Sequence, residues 1–573
     1  MRNVKNLFGM AVMATALVAC SSNDDLASNG HEGNQTGEAY ASFRINLPTT
    51  TGTRADDPTP GSPTFDGGDK NEYAVKDAAL LLFQKEGSDF KFKEVVDLGN
   101  MEPWTSSKPG GGGITTTAKL TAKITTAEVG ANKGYYALIV LNNNSETAPK
   151  ITYPTVGQTY ADWSKKEANA TANYLKYDNG FFMANAPKYV AGAPETLVEI
   201  KNIYASKQQA ENSTATTVYV ERGLAKVSLA STSAKHVDIT DGNYAGDKVD
   251  IEGWTLDVTN TKTYPVHVTE GLWADTWKTT TTPAATNGAS MDRFHDTKLT
   301  SEFPRVYWGL DPNYSTNFAS VADCEREFTM ATKGNFKTGA EAKKAQYCLE
   351  NTFDIDHMVQ GQTTRVLFSA KYTPDNFADG ETFYKFGNSP KLWHAADVVA
   401  QIKAKAQEVL GEANASKVTV TLDAEGNDMT KSGVRLVAAA NISHGETALN
   451  DEQVDQINAK LGFKKATSTD AAVGLSTYES GVSYYVARVM HFNGLTPWAP
   501  GNDTYAGNNA NWLGRYGVLR NNWYELSVSS VSGPGYPDVP KVNPTDPDDV
   551  NDQYINVEVK ILDWAKRSQS IEL

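Results

Sequence analysis

Cysteine is nearly absent: the 573-residue chain has three. That excludes a disulfide scaffold and any multi-cysteine zinc or iron–sulfur site. Histidine is scarce too, with eight residues at 31, 236, 267, 295, 357, 394, 444 and 491. They fall singly, with no His-x-x-x-His pair of the kind that holds zinc on a helix. Positive charge is in deficit: 53 Lys+Arg stand against 68 Asp+Glu, a net charge of −15. A nucleic-acid partner is therefore not expected, because phosphate binding needs a basic surface. Beyond the first twenty residues no apolar run is long enough to resemble a membrane-spanning helix. The Gly110–Gly113 run lacks the lysine and the following helix of a phosphate-binding loop and reads as a turn. No G-x-S-x-G elbow occurs. The expectation is a non-enzymatic protein with no cofactor and no metal. What remains is a globular composition, 40% hydrophobic and 21% charged. At roughly 100–200 residues per domain the length allows about two to four domains.

The N-terminus sets the compartment. Residues 1–20 read MRNVKNLFGMAVMATALVAC. Arg2 and Lys5 precede an apolar run, Leu7 to Ala19, of signal-peptide length. The run ends in Leu17-Val18-Ala19-Cys20, which resembles a bacterial lipobox. Cleavage before Cys20 and acylation of its sulfur are expected, so attachment to a membrane rests on that lipid alone. Residues 21–38 are polar and form a tether, and Ser21-Ser22-Asn23-Asp24-Asp25 is similar to the export tags of Bacteroidota surface lipoproteins. In AYASFRINLP, Ala41, Phe43, Ile45 and Leu47 alternate with polar neighbours, as in a strand with one buried face. The next stretch, TTTGTRADDPTPGSPTFDGGD, which holds Arg54 and Ala55, reads as an exposed loop, the usual site of proteolytic nicking.

Short strands fill the rest: DAALLLFQKE, FKFKEVVDL, TTTAKLTAKI and GYYALIVLNN in the first part, with one helix expected near Thr159–Tyr174. TTVYVERGLAKVSLAST reads as a long strand or a strand pair, and a domain boundary is expected near it. Further strands follow, interrupted by helices over Leu392 to Leu410 and Asp451 to Leu461, each with glycine just after it. Many short strands with regular turns argue for β-sandwiches. Residues 533–553 form a Pro/Asp-rich extended linker, after which YINVEVKILDWAKRSQSIEL ends the chain. The expected parts are a signal (1–19), a removable tether and strand (20–54), an N-terminal sandwich (55–215), a C-terminal sandwich with helical insertions (216–532), and a linker with terminal strand (533–573).

The two terminal segments share one pattern. Ile555, Val557, Val559 and Ile561, with Trp564 following, repeat the one-face alternation of Ala41 to Leu47. A sandwich that loses a strand is left with unpaired backbone and an apolar groove. A strand of like pattern from another chain fills such a groove by β-augmentation, and head-to-tail repetition grows a filament.

The segments YINVEVKILDWAKRSQSIEL (554–573) and VLRNNWYELSVSSVSGPGYP (518–537) resemble the C-terminus of the major fimbrial subunits, the Mfa-like fimbrillins, of Bacteroidota type V pili. VERGLAKVSL (220–229) and YCLENTF (347–353) are similar to recurring segments of that family. The resemblance implies two transthyretin-like β-sandwich domains and a precursor exported as an outer-membrane lipoprotein. It implies removal of the N-terminal extension after Arg54 by an arginine-specific protease. It further implies donor-strand exchange through 554–573 with other copies and accessory pilus subunits, in a surface fimbrium that adheres to host or bacterial ligands. A tip or anchor subunit of the same pilus is an alternative, as is a monomeric surface glycan-binding lipoprotein.

Cys324 and Cys348 are a possible disulfide outside the cytoplasm. Asp354, Asp356 and His357 read as a solvated loop rather than a metal site. Asp546, Asp548, Asp549 and Asp552 fit no EF-hand spacing. Trp498, Tyr505, Trp512, Tyr516 and Trp523 read as core and loop anchors ahead of a sugar-stacking surface.

Overall fold

The computed structural model describes residues 38–46, 72, 74–99, 106–107, 115–143, 149–169, 174–178, 180–190, 193–231, 233–269, 294, 304–314, 318–353, 357–411, 416–467, 471–491, 513–548 and 555–563, the last nine as backbone. Strands dominate, and the mainly β fold class expected from the sequence holds.

The first sheet uses β1 (Ala39–Asn46), β2 (Ala78–Glu86), β3 (Asp89–Gly99), β4 (Ser106–Ser107), β5 (Thr115–Ile124), β6 (Tyr135–Leu141), β7 (Met183–Asn185) and β8 (Thr216–Arg222). Their order is β3-β2-β6-β7-β8-β1-β5-β4, with Val198–Glu199 added on β6. β2 and β6 are buried on both faces, which explains their unbroken apolar runs. Leu80, Leu82, Ala137, Ile139 and Leu141 enter one core, whereas Leu81, Phe83, Leu138 and Val140 enter another. β8 turns the sheet on itself. Thr216 to Tyr219 pair with β1, and Val220 to Arg222 pair with β7. The two halves thus face one core, where Phe43 and Ile45 meet Leu80 and Ile139.

A second sandwich is built from two sheets. One is β12-β9-β15-β16, from β9 (Leu224–Leu229), β12 (Gln346–Leu349), β15 (Asn522–Val531) and β16 (Ile555–Asp563). The other is β10-β11-β13-β14, from β10 (His236–Asp238), β11 (Lys248–Asp257), β13 (Arg365–Thr373) and β14 (Val482–Arg488). Val227, Tyr524, Leu526 and Val528 of the first pack with Trp254, Phe368, Tyr372 and Tyr485 of the second.

The segment TTVYVERGLAKVSLAST is a strand pair broken at Gly223. A Cβ there would lie 2.4 Å from the Tyr174 hydroxyl, so only glycine fits the crossing between layers. The boundary expected after residue 215 falls ahead of β8, which the first sheet retains; the chain changes layer at Gly223.

Besides the short helices α2 (Lys207–Glu211) and α3 (Val321–Glu327), two longer helices pack together beside this sandwich. α4 (Ala395–Leu410) buries Val398, Ile402 and Ala406 and stops at Gly411 with φ 84°. α5 (Asp451–Lys460) buries Val454 and Ile457, with Asn450 and Gln453 forming its capping box. The expected start at Leu392 moves to Ala395 because Leu392 and Trp393 pair as a short strand with Tyr384 and Lys385. Near Thr159 the expected helix shrinks to one turn, α1 (Tyr160–Ser164), capped by Thr159 and anchored by fully buried Trp163. Lys166 and Glu167 then lead into a short strand over Ala168–Asn169. Among the described residues no helix is long and apolar enough to cross a membrane.

Candidate functional site

β1 lies in the interior of the first sheet. It runs antiparallel to β5 over eight residue pairs, from Ala39↔Ile124 to Asn46↔Thr117. On its other side it runs parallel to β8, from Phe43↔Thr216 to Asn46↔Tyr219. Before β8 takes over, Tyr40 and Tyr204 exchange both backbone hydrogen bonds at 2.8 Å. Ala39, Ala41, Phe43 and Ile45 are fully buried, among Ala122, Ile124, Ile203, Val218 and Val220. Arg44 is exposed on the opposite face. Lys123 forms a salt bridge with Glu38 at the strand's entry. Neighbouring Lys123 and Tyr40 hydrogen bonds hold the Glu38 carboxyl below its usual range. Without β1, the facing edges of β5 and β8 would lose their partners around an apolar floor.

Among the described residues, β16 sits at the edge of its sheet and pairs with β15 alone. In that antiparallel register Ile555, Val557, Val559 and Ile561 stand opposite Val531, Val528, Leu526 and Tyr524. The two segments of like pattern therefore occupy unlike places: β1 is enclosed on two sides, β16 on one. Cys20, Leu47, Arg54, Ala55 and Trp564 lie outside the described residues.

The stretch ahead of β16 is extended, as its prolines suggest, and it is strapped to the body. Tyr485 and Tyr478 hydroxyls donate to Gly533 and Gly535 carbonyls at 3.0 Å each. The Arg365 guanidinium donates to the Pro540 carbonyl at 2.6 Å and to Asp257 at 2.8 Å. The Asp546 carbonyl accepts from Gln360 N at 2.9 Å. Val542 is buried.

A buried charge network joins the two sandwiches. Glu221, at the end of β8, has Arg305 at 3.2 Å and His267 Nδ1 at 3.1 Å. His267 Nε2 lies 3.4 Å from Glu350, which also pairs with Arg520. Burial pushes the Glu221 carboxyl up, but the charges of His267, Arg305 and Arg520 more than reverse this and hold it below its usual range. The network was not read from the sequence, since its members are scattered between 221 and 520 with no spacing signal.

The possible disulfide is not formed. Cys324 and Cys348 are free thiols. They lie in separate clusters, Cys324 with Phe318, Phe328 and Val542, and Cys348 in the second sandwich core. Burial pushes their thiols up to about 11 and about 12. Both are expected to resist a thiol-specific colorimetric reagent in the native protein at neutral pH and to react fully after denaturation. Rapid labelling of the native protein would contradict their placement.

Asp354, Asp356, Asp549 and Asp552 lie outside the described residues, as do Trp498, Tyr505 and Trp512. His357 packs against Tyr314, with ring centroids 4.8 Å apart. Asp548 is buried and accepts from Thr363. Tyr516 is buried, and Trp523 stacks on the Lys226 ammonium rather than standing free for a sugar. Among the described residues no group of three His, Cys, Asp or Glu is placed to hold a metal ion.

The fold and groove define a tandem β-sandwich protein with an enclosed N-terminal strand and an edge C-terminal strand. Residues 476–570 match the family model described as "Major fimbrial subunit protein type IV, Fimbrillin, C-terminal". The match bears out the resemblance to fimbrillins read at 518–537 and 554–573. No curated protein matches the chain. Among solved structures the chain is similar to a fimbrilin (fimA) of Porphyromonas gingivalis W83, with 12% identity, 92% of this chain and 99% of that chain covered, and a TM-score of 0.37. It is also similar to a fimbrial assembly protein of Parabacteroides distasonis ATCC 8503, with 11% identity, 62% and 84% covered, and a TM-score of 0.27.

Proposed function

We infer that the chain is a structural subunit of a cell-surface fimbrium. It is exported as a lipoprotein carrying lipid on Cys20, cut after Arg54, and polymerised when β1 leaves and the 554–573 strand of another copy takes its place. The observation that carries this reading is the position of β1: an interior strand with four fully buried side chains, joined to the body through the segment that holds Arg54. The fimbrillin match over the C-terminal region supports the same assignment. Partners are then further copies of this chain, accessory pilus subunits and an arginine-specific protease. N-terminal sequencing of the surface-assembled protein tests the maturation step, with a start at Ala55 expected. Arg54→Ala is expected to leave uncut precursor and no filaments. Normal filaments from that variant would remove Arg54 from the mechanism.

A further inference from the structure

Beside α1 lies a cavity of about 610 Å³, a size within the range of small-molecule sites. It contains no residue of β1 or β16, so its use does not depend on strand exchange. The end of β2 and the start of β3 bring Lys85, Asp89 and Phe90 to it. β6 brings Tyr136, α1 brings Tyr160, and the short strand Ala193–Glu195 brings Glu195.

Three half-buried rings line the cavity. Phe90 and Tyr136 meet edge to face, with centroids 4.7 Å apart and planes at 76°. Tyr160 stands edge-on to Phe83 at 5.7 Å. All three pack on the core that holds Phe83, Leu138 and Trp163, which fixes the ring faces left uncovered. Behind them, buried His267 is held between Glu221 and Glu350. The walls are therefore set before a ligand arrives.

The polar groups around the rings are unspent. Among the described residues the Lys85 ammonium, the Glu195 carboxylate and the Tyr136 hydroxyl have no hydrogen-bond or ion-pair partner. The Asp89 carboxylate accepts from its neighbour Ser88 at 3.3 Å. Burial, with the charges of Glu199 and Glu195, raises the Tyr136 hydroxyl above its usual range, so it keeps its proton as a donor.

Charge selects among ligands. A cation would meet Lys85, whose Nζ already lies 5.8 Å from the Phe90 ring centroid. An anion would meet Asp89 and Glu195. A wholly apolar molecule would strip water from both carboxylates and return no hydrogen bond. A neutral polyol with C–H faces incurs none of these costs. Its C–H faces lie on the rings, and its hydroxyls donate to the carboxylates and accept from Lys85 and Tyr136. We propose that this cavity is a binding site for a neutral saccharide.

The test is binding of the purified protein to an immobilised panel of neutral oligosaccharides built from glucose, galactose, mannose and N-acetylglucosamine. Spermidine and glucuronate are titrated in parallel as cationic and anionic probes. Saturable binding of a panel sugar is expected, with none of either charged probe. Glu195→Gln keeps the side-chain shape at an exposed position and is expected to weaken that binding about tenfold or more, because a charged hydrogen-bond acceptor is lost. Tyr136→Phe keeps the ring and is expected to weaken it about threefold or more. Denaturant midpoints equal to wild type would show that both variants fold. The proposal is overturned if no panel sugar binds, or if a bound sugar is held equally well by both variants. Preferential binding of spermidine or glucuronate overturns it too.

Discussion

Subunits cut after Arg54 and truncated to end at Gln553 are expected to stay monomeric, with complete loss of the filament ladder on a denaturing gel. The missing strand carries Ile555, Val557, Val559 and Ile561. Burying four such side chains contributes about 1.5–3 kcal/mol each. Strand pairing adds to this on two sides in the β1 groove, along β5 and β8, but on one side only in the chain's own sheet, along β15. That difference favours exchange over retention. The truncated subunit should still fold, because β16 is an edge strand and the first sheet contains none of it. A ladder that persists after truncation would falsify polymerisation through 554–573. Circular dichroism of the truncated subunit separates lost assembly from lost fold.

Phe43→Ala is expected to split precursor from mature subunit. Phe43 is fully buried in the first core, and truncating a buried phenylalanine costs about 3–5 kcal/mol through lost transfer energy and the cavity left behind. The uncut precursor should therefore unfold at markedly lower denaturant. The assembled, cut subunit should be unchanged, because β1 is no longer part of it. Denaturant midpoints of the uncut protein and of purified filaments, each beside wild type, measure the split. An equal loss in both forms would mean that β1 stays in its groove after cleavage.

Much of this was legible in single residues. The alternation in AYASFRIN and INVEVKILD marks two strands, because side chains on a strand face opposite ways in turn. The apolar spacing of α4 and α5 was visible, as were their glycine stops. The sandwich class followed from short strands and turn clusters. The one-turn α1 was less legible: Tyr160 and Trp163 fit a longer helix, but of the two only Trp163 is fully buried, with Tyr160 packed at the edge of the same core. The Pro-rich stretch 533–553 reads as a linker because proline disfavours sheet pairing. Its carbonyls still accept hydrogen bonds, and Tyr478, Tyr485 and Arg365 use them.

By itself the sequence determined which faces are apolar, where the chain turns, and that the C-terminal region resembles a fimbrillin's. Only the tertiary structure decided the partners. The same alternation sends β1 between β5 and β8 and β16 to the edge beside β15, because strand pairing joins residues far apart in the chain and a period of two carries no address. Likewise, nothing near Glu72, Lys226 or Tyr347 in the sequence announces that they meet. Packing two sandwiches across Gly223 brings them together as a buried, hydrogen-bonded ion pair.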